Sequence, residues 1–231
     1  MTNAHVASTD KWLPLGLAFV GGFGDASGLL LANTFTGHVT GNLVLVAIAA
    51  ASHNMAGVMR NAGAIATFLA GILLSAFIGI QLKRHASVRL LPVVITIEVL
   101  LIAAAALAMK SLLEYRIAIF IICMALALGL QNGALRSVGG TSIHTTYLTG
   151  MVTNLITTAA GKTFDRASTP TVIAQDPTLQ LLGGIWMSFL LGAAVGAALV
   201  LRWKGPGVLG AEVVLLPLLA RVLSAQRAQV A

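Results

Sequence analysis

One acidic residue, Asp25, stands inside a glycine-rich apolar stretch, Gly21-Gly-Phe-Gly-Asp-Ala-Ser-Gly28. An ionisable side chain in such surroundings usually faces a partner or a cavity, and it is a candidate proton carrier or, alternatively, a protonated or hydrogen-bonded cap of a broken helix. The glycines remove side-chain bulk, which permits close helix contact, a kink or an opened turn. Asn132, with Gln131 beside it, occupies the corresponding place in Gly129-Leu-Gln-Asn-Gly133. These amides could line a polar patch with Asp25, or simply bond between helices. Two hydroxyl-rich runs follow, Thr34-Phe-Thr-Gly-His-Val-Thr-Gly-Asn42 and Thr145-Thr-Tyr-Leu-Thr-Gly-Met-Val-Thr-Asn154. Each opens a short apolar segment. The unpaired N–H groups of a helix start attract an anion or a dipole, so Thr36, Thr40, Asn42, Thr146 and Thr149 are candidate solute-binding residues. N-capping is the competing role for Thr and Asn at such places.

Glu98 is a second proton-carrying candidate, and Glu212 stands in a similar context nearer a segment end. Arg136 could pair with Asp25 or Glu98, or snorkel to the interface. His38 and His144 do not occupy equivalent positions, and two lone histidines do not make a metal site. Cys123 lies in an apolar run as a small packing residue, with no second cysteine to pair with. No nucleotide-binding, metalloprotease or nucleophile-elbow motif is present. The expectation is therefore a protein that is not an enzyme, with no cofactor and no metal.

The elements that must hold these residues follow from composition. Of 231 residues, 58% are hydrophobic and 9% charged, and mean hydropathy is +0.93. A soluble domain carries about 25% charged residues, so too few charges remain to solvate a globular surface. Fourteen Lys and Arg against seven Asp and Glu give +7. The basic residues sit singly or in short groups between apolar runs, as at membrane-helix flanks, which argues against nucleic-acid binding.

A span needs about 20 mainly apolar residues. Trp12–Leu31, Ala62–Ile80, Leu90–Met109, Ile117–Leu135 and Leu181–Leu201 qualify. Val39–Ala51, Thr146–Gly161 and Val208–Leu223 are shorter and could span or lie elsewhere. The expected fold is all-α, a polytopic transmembrane bundle of six to eight helices forming a single membrane domain, with residues 1–10 and 224–231 as short tails and no cleavable signal peptide. Lys83, Arg84 and Arg89 argue for a cytoplasmic Leu82–Arg89 loop. Lys110, Arg116, Lys162 and Arg166 would then lie outside if every segment spans.

An internal duplication is expected between residues 12–109 and 117–223. Gly22–Ala26 aligns with Gly129–Gly133 at an offset of 107, and Val39-Thr-Gly41 with Leu148-Thr-Gly150 at 109. Phe68-Leu-Ala-Gly71 aligns with Phe189-Leu-Leu-Gly192 at 121, and Pro92 and Glu98 with Pro206 and Glu212 at 114. If all four segments of a unit span, the halves are parallel. If the short segments are re-entrant, each unit has three crossings and the repeat is inverted.

Gly22-Phe-Gly-Asp-Ala26 with Val39-Thr-Gly-Asn42 resembles the front half of the YoaK-like bacterial membrane protein family, a domain-of-unknown-function family. Gly129-Leu-Gln-Asn-Gly-Ala-Leu135 with Thr145-Thr-Tyr-Leu-Thr-Gly150 resembles its second half. The resemblance covers roughly residues 12–223. The chain departs from the family pattern at Gly133, where alanine is favoured, and at His38, where asparagine or a similar residue is favoured. The resemblance implies a multi-pass protein of the bacterial inner membrane and supplies no substrate.

Together these readings point to a secondary transporter of a small solute, with proton coupling through Asp25 or Glu98. A channel or passive facilitator, and a non-transporting module binding lipid or a partner protein, are the alternatives. The expected partners are membrane lipid and an unidentified small solute, with no nucleic acid. Small-residue helix faces such as Gly71/Ser75/Gly79 are compatible with internal packing or a homo-oligomer.

Overall fold

A computed structural model describes residues 12–82, 89–135, 137–138, 141–142, 148–164 and 177–227. The fold is an all-α membrane helix bundle. The described helices are α1 (Trp12–Ala32), α2 (Val39–Ala51), α3 (Met55–Leu82), α4 (Leu90–Lys110), α5 (Arg116–Ala134), α6 (Leu148–Phe164), α7 (Pro177–Trp203) and α8 (Glu212–Arg227). A 3-10 turn, Gly205–Ala211, leads directly into α8. Ser137–Val138 and Thr141–Ser142 form a two-residue antiparallel ladder. Six segments are long and apolar enough to cross a bilayer: α1, α3, α4, α5, α7 and the 3-10 turn together with α8.

Several boundaries differ from the sequence expectation by three residues or more, the start of α7 at Pro177 and not Leu181 among them. Helix α3 begins at Met55, not Ala62, because Asn54 Oδ1 accepts the Gly57 N–H at 2.9 Å and caps the helix. Helix α8 runs on to Arg227, so Ser224–Arg227 is helical and not part of a tail. Residues 1–10 lie outside the described residues, as do Lys83, Arg84 and most of Asp165–Pro177.

Residue contacts fix the helix directions. Helix α7 runs parallel to α1. Ser188 Oγ donates to the Leu15 carbonyl at 2.7 Å, Gly192 lies against the Phe19 carbonyl, and Gly196 lies against Phe23. Helix α3 runs parallel to α5 by the same logic: Gly71 meets Leu126 and Gly129, and Ser75 meets Gly133. Helices α1 and α5 are antiparallel. Gln131 Nε2 donates to the Leu17 carbonyl at 3.0 Å, while Gly24 faces the earlier residues Met124 and Leu128. Helix α8 opposes α1, since Gly16 meets Leu218 and Gly210 meets Phe23.

The first and fifth helices therefore cross in opposite senses, which excludes the arrangement in which every segment spans. Helix α2 makes no net crossing. Helix α6 makes none either, because α5 ends and α7 begins on the same face. Pro177 consequently lies on the face where α1 and α4 begin. At about 20 Å for 13 residues, α2 is too short for a hydrocarbon layer about 30 Å thick.

The two tightest interfaces use corresponding residues. A side chain at Gly22 would collide with the Phe189 carbonyl, and one at Gly129 with the Phe68 carbonyl. A side chain at Gly71 would meet the Leu126 carbonyl, and one at Gly192 the Phe19 carbonyl. Backbone approaches backbone at all four points, so the helices cannot yield as flexible side chains would. Around these seams pack Phe23, Phe120, Met124, Leu128, Ile102 and Ile185, all fully buried.

Gly22→Ala and Gly129→Ala should each destabilise the detergent-solubilised protein, on the order of 1–3 kcal/mol, as overpacked cores do. Gly63→Ala, whose new methyl meets nothing within 4 Å, should leave the thermal unfolding midpoint in place. Equal midpoints for all three variants would contradict these interfaces.

Candidate functional site

Helix α1 continues unbroken through its glycines, so their role here is close approach and not an opened turn. The chain reverses immediately afterwards, at Asn33, whose φ is 50°; asparagine tolerates this left-handed conformation better than most residues. Residues 34–37 then run back along α1. The Thr34 N–H reaches the Gly28 carbonyl at 3.4 Å, Thr36 Cγ2 lies over Gly28, and Thr36 Oγ1 lies beside Gly24. The segment thus returns to the level of Asp25, seven residues and about 10 Å before the end of α1. Helix α2 starts from that depth.

Asp25 holds the tip of this segment. Its Oδ1 accepts the N–H of Thr36 at 3.0 Å and of Gly37 at 2.6 Å. The backbone dipole site expected ahead of α2 is therefore filled by the protein's own carboxylate. A carboxylate at mid-membrane costs about 2.5–3.5 kcal/mol on insertion scales, and each hydrogen bond to a charged acceptor returns about 1.5–3 kcal/mol. Two such bonds offset the cost. Without the carboxylate, the amides themselves would be unsatisfied in an apolar layer.

Asn42, on the first turn of α2, closes the segment from the other side. Its Oδ1 accepts the Thr34 hydroxyl at 3.1 Å and the Phe35 N–H at 2.9 Å, and its Nδ2 donates to the Phe35 carbonyl at 2.7 Å. Asp25, Thr34, Thr36 and Asn42 are all buried. Thr36 Oγ1 and Asp25 Oδ2 are buried with no hydrogen-bond partner among the described residues. His38 Nδ1 stands 3.7 Å from Oδ2, and the Phe35 ring lies 5.6 Å from the imidazole. The Asp25 carboxylate raises the His38 pKa above its ordinary value, against a smaller opposing effect of burial. Sequence reasoning treated His38 as a lone histidine. The separation of thirteen residues carries no periodic signal, so only the fold-back reveals the pair.

The remaining candidates divide. Thr40 is exposed on α2. Gln131 and Asn132 do not join Asp25. Gln131 is bonded at Leu17, eight residues before Asp25 and about 12 Å away along α1. Asn132, half-buried, has an Oδ1 without a hydrogen-bond partner among the described residues. Glu98 is completely buried on α4, both carboxylate oxygens lacking a hydrogen-bond partner among the described residues. The main neighbours of α4 are α5, the 3-10 turn and α8, so Glu98 is not part of the Asp25 site. Thr146, His144 and Arg136 lie outside the described residues, and for Thr149 only the backbone, within α6, is described. Buried Asn61 on α3 was not singled out in the sequence, and Ser75 only as part of a small-residue packing face; each has an oxygen without a hydrogen-bond partner among the described residues.

A family model described as "Protein of unknown function (DUF1275)" matches residues 13–222. The chain belongs to that family. It is similar to the UPF0700 transmembrane protein YoaK of Bacillus subtilis (strain 168), with 27% identity over 186 residues, covering 78% of this chain and 80% of that protein. No solved structure matches. The matched region contains both the Asp25 fold-back and the close-packed seams, so the geometry above lies within the part shared with the family.

Because Asp25 raises the His38 pKa above 6.5, the pair's stabilisation is complete below that value and fades as pH climbs through the raised one. His38→Gln should therefore lower the thermal midpoint most near pH 5.5 and least near pH 9. An equal loss at both ends would show that the imidazole acts only by packing.

Proposed function

We propose that the protein is a secondary transporter of a small solute in the bacterial inner membrane, built from two inverted halves, residues 12–109 and 117–223. The observation that carries this reading is the opposite sense of α1 and α5, combined with matched backbone seams at Gly22/Phe189 and Gly129/Phe68. Inverted halves with short interrupted segments near the bilayer midplane are a recurrent transporter architecture. In this reading each half lends a helix to the other: α7 packs on α1, and α3 on α5. Rocking of the α1–α7 pair against the α3–α5 pair opens each face in turn. The folded-back residues 34–38 approach from the face on which α1 ends, and α6 belongs to the opposite face.

In this reading solute selection falls to Thr36 and Thr40 in one half and to Thr146 and Thr149 in the other. Asn42 and the Asp25 Oδ1 are already engaged with the backbone, so their part is to hold the segment in place. Helical spans support a plasma-membrane location, as does the similarity to a protein described as transmembrane. The basic Leu82–Arg89 connection supports placing the start of α1 in the cytoplasm.

Reconstituted protein in proteoliposomes, screened on a solid-supported membrane against panels of small anions, cations and neutral metabolites under an imposed pH gradient, should give a saturable current with at least one panel. Gly22→Val with Gly129→Val, which locks or breaks the seams, should abolish it. Flux that does not saturate would identify a channel, and no flux for any panel would overturn the transport reading.

A further inference from the structure

The two oxygens of the Asp25 carboxylate are treated very differently. Oδ1 takes both amide hydrogens of the fold-back. Oδ2 is buried and accepts no hydrogen bond from the described residues. The group facing it is His38 Nδ1 at 3.7 Å, too long for an ordinary N–H···O bond. The carboxylate side chain is 6% exposed and the imidazole 33% exposed. One member of the pair is thus sealed within the bundle while the other reaches its surface.

We propose that His38 and Asp25 form a proton-binding site, in which the imidazole takes up and releases the proton and the carboxylate, pinned by the Thr36 and Gly37 amides, holds the counter-charge. Resting on the transport reading above, this makes the proton the coupling ion and the face on which α1 ends its entry side. The balance is simple. A neutral imidazole takes a proton from water to become imidazolium, and the pair passes from a net charge of −1 to zero. An electroneutral pair can be enclosed between the halves, whereas an uncompensated buried carboxylate is far more costly. The protonation state of His38 thereby decides whether the tip of the fold-back can be shut away from water.

The surroundings leave the pair to itself. Helix α1 contributes Asp25 alone. Helix α5 presents Met124 and Leu128 to the adjacent Gly24. The fold-back contributes the Phe35 ring, and α2 the backbone at Gly41, 3.5 Å from the imidazole edge for an added methyl. Among the described residues no other charged group is paired with either member.

The test is histidine-selective nitrogen-15 NMR of the full chain in lipid nanodiscs, with His38 assigned by loss of its signal in His38→Gln. Asp25→Asn keeps an oxygen for the two amides but removes the charge. It should lower the His38 titration midpoint by about one pH unit or more, the usual effect of an opposite charge at this range. Asp25→Glu keeps the charge and should keep the midpoint above that of Asp25→Asn. If Asp25→Asn does not fold, wild type decides: His38 must titrate above free histidine in the same buffer. A midpoint unmoved by Asp25→Asn, or a His38 that does not titrate between about pH 4 and 9, overturns the proposal. The titration needs no solute. A lowered midpoint without flux would refute transport and leave the proton site, and an unmoved midpoint with saturable flux would do the reverse.

Discussion

Backbone amides at membrane depth cannot be left unpaired, because hydrocarbon offers them nothing and each orphan costs several kcal/mol. Residues 34–37 break this rule unless side chains intervene, and Asp25 and Asn42 are those side chains. The arrangement is mutual. The amides make a carboxylate tolerable inside an apolar bundle, and the carboxylate makes a non-helical segment tolerable there. Either alone would be expensive. Because the segment is held at the level of Asp25, α2 starts deep and returns to the face it came from. That fact sets the directions of α3, α4 and α5, after which α6 likewise returns to the face it came from.

The consequence is visible in the seams. With α2 making no net crossing, α3 runs opposite to α1, and α5 runs parallel to α3 and antiparallel to α1. Lipid provides no hydrophobic drive between helices, so their association depends on close van der Waals packing. Gly22 and Gly129 supply it by letting backbone touch backbone across α1–α7 and α5–α3. The glycine-rich stretch around Asp25 therefore serves two surfaces: Gly22 faces α7, while Gly24 and Gly28 face the fold-back and α5. A kink in α1 would have separated these functions. The continuous helix keeps them in register.

Much of this was legible in the residues, and the limits have physical causes. Long apolar runs announce spans because hydropathy alone decides partition into lipid, and five of the spanning segments follow directly. Whether the short Val39–Ala51 spans or re-enters stayed open in the sequence, and the direction of α3 relative to α1 decides it: this thirteen-residue helix makes no net crossing. Asp25 was recognisable as a charge that needs a partner. Its partners were not, because they are amide hydrogens eleven and twelve residues away, and every residue except proline carries one. The expectation of a polar patch joining Asp25 to Gln131 and Asn132 treated equivalent positions in two halves as neighbours. In antiparallel helices, residues away from the crossing point separate along the axis, and Gln131 is bonded near Leu17 instead.

Glu98 presents the same contrast in reverse. It and Asp25 look alike in sequence, each a lone acid within an apolar span. Asp25 has two amides and an imidazole around it, whereas Glu98 has no hydrogen-bond partner for either oxygen among the described residues. A charged group needs compensation in proportion to its burial, and of these two buried acids only Asp25 has it among the described residues. Asp25 is furnished to carry its charge as a fixed anchor. Its Oδ1 is engaged by both amides, and the member of the pair that reaches the surface of the bundle is the half-buried His38.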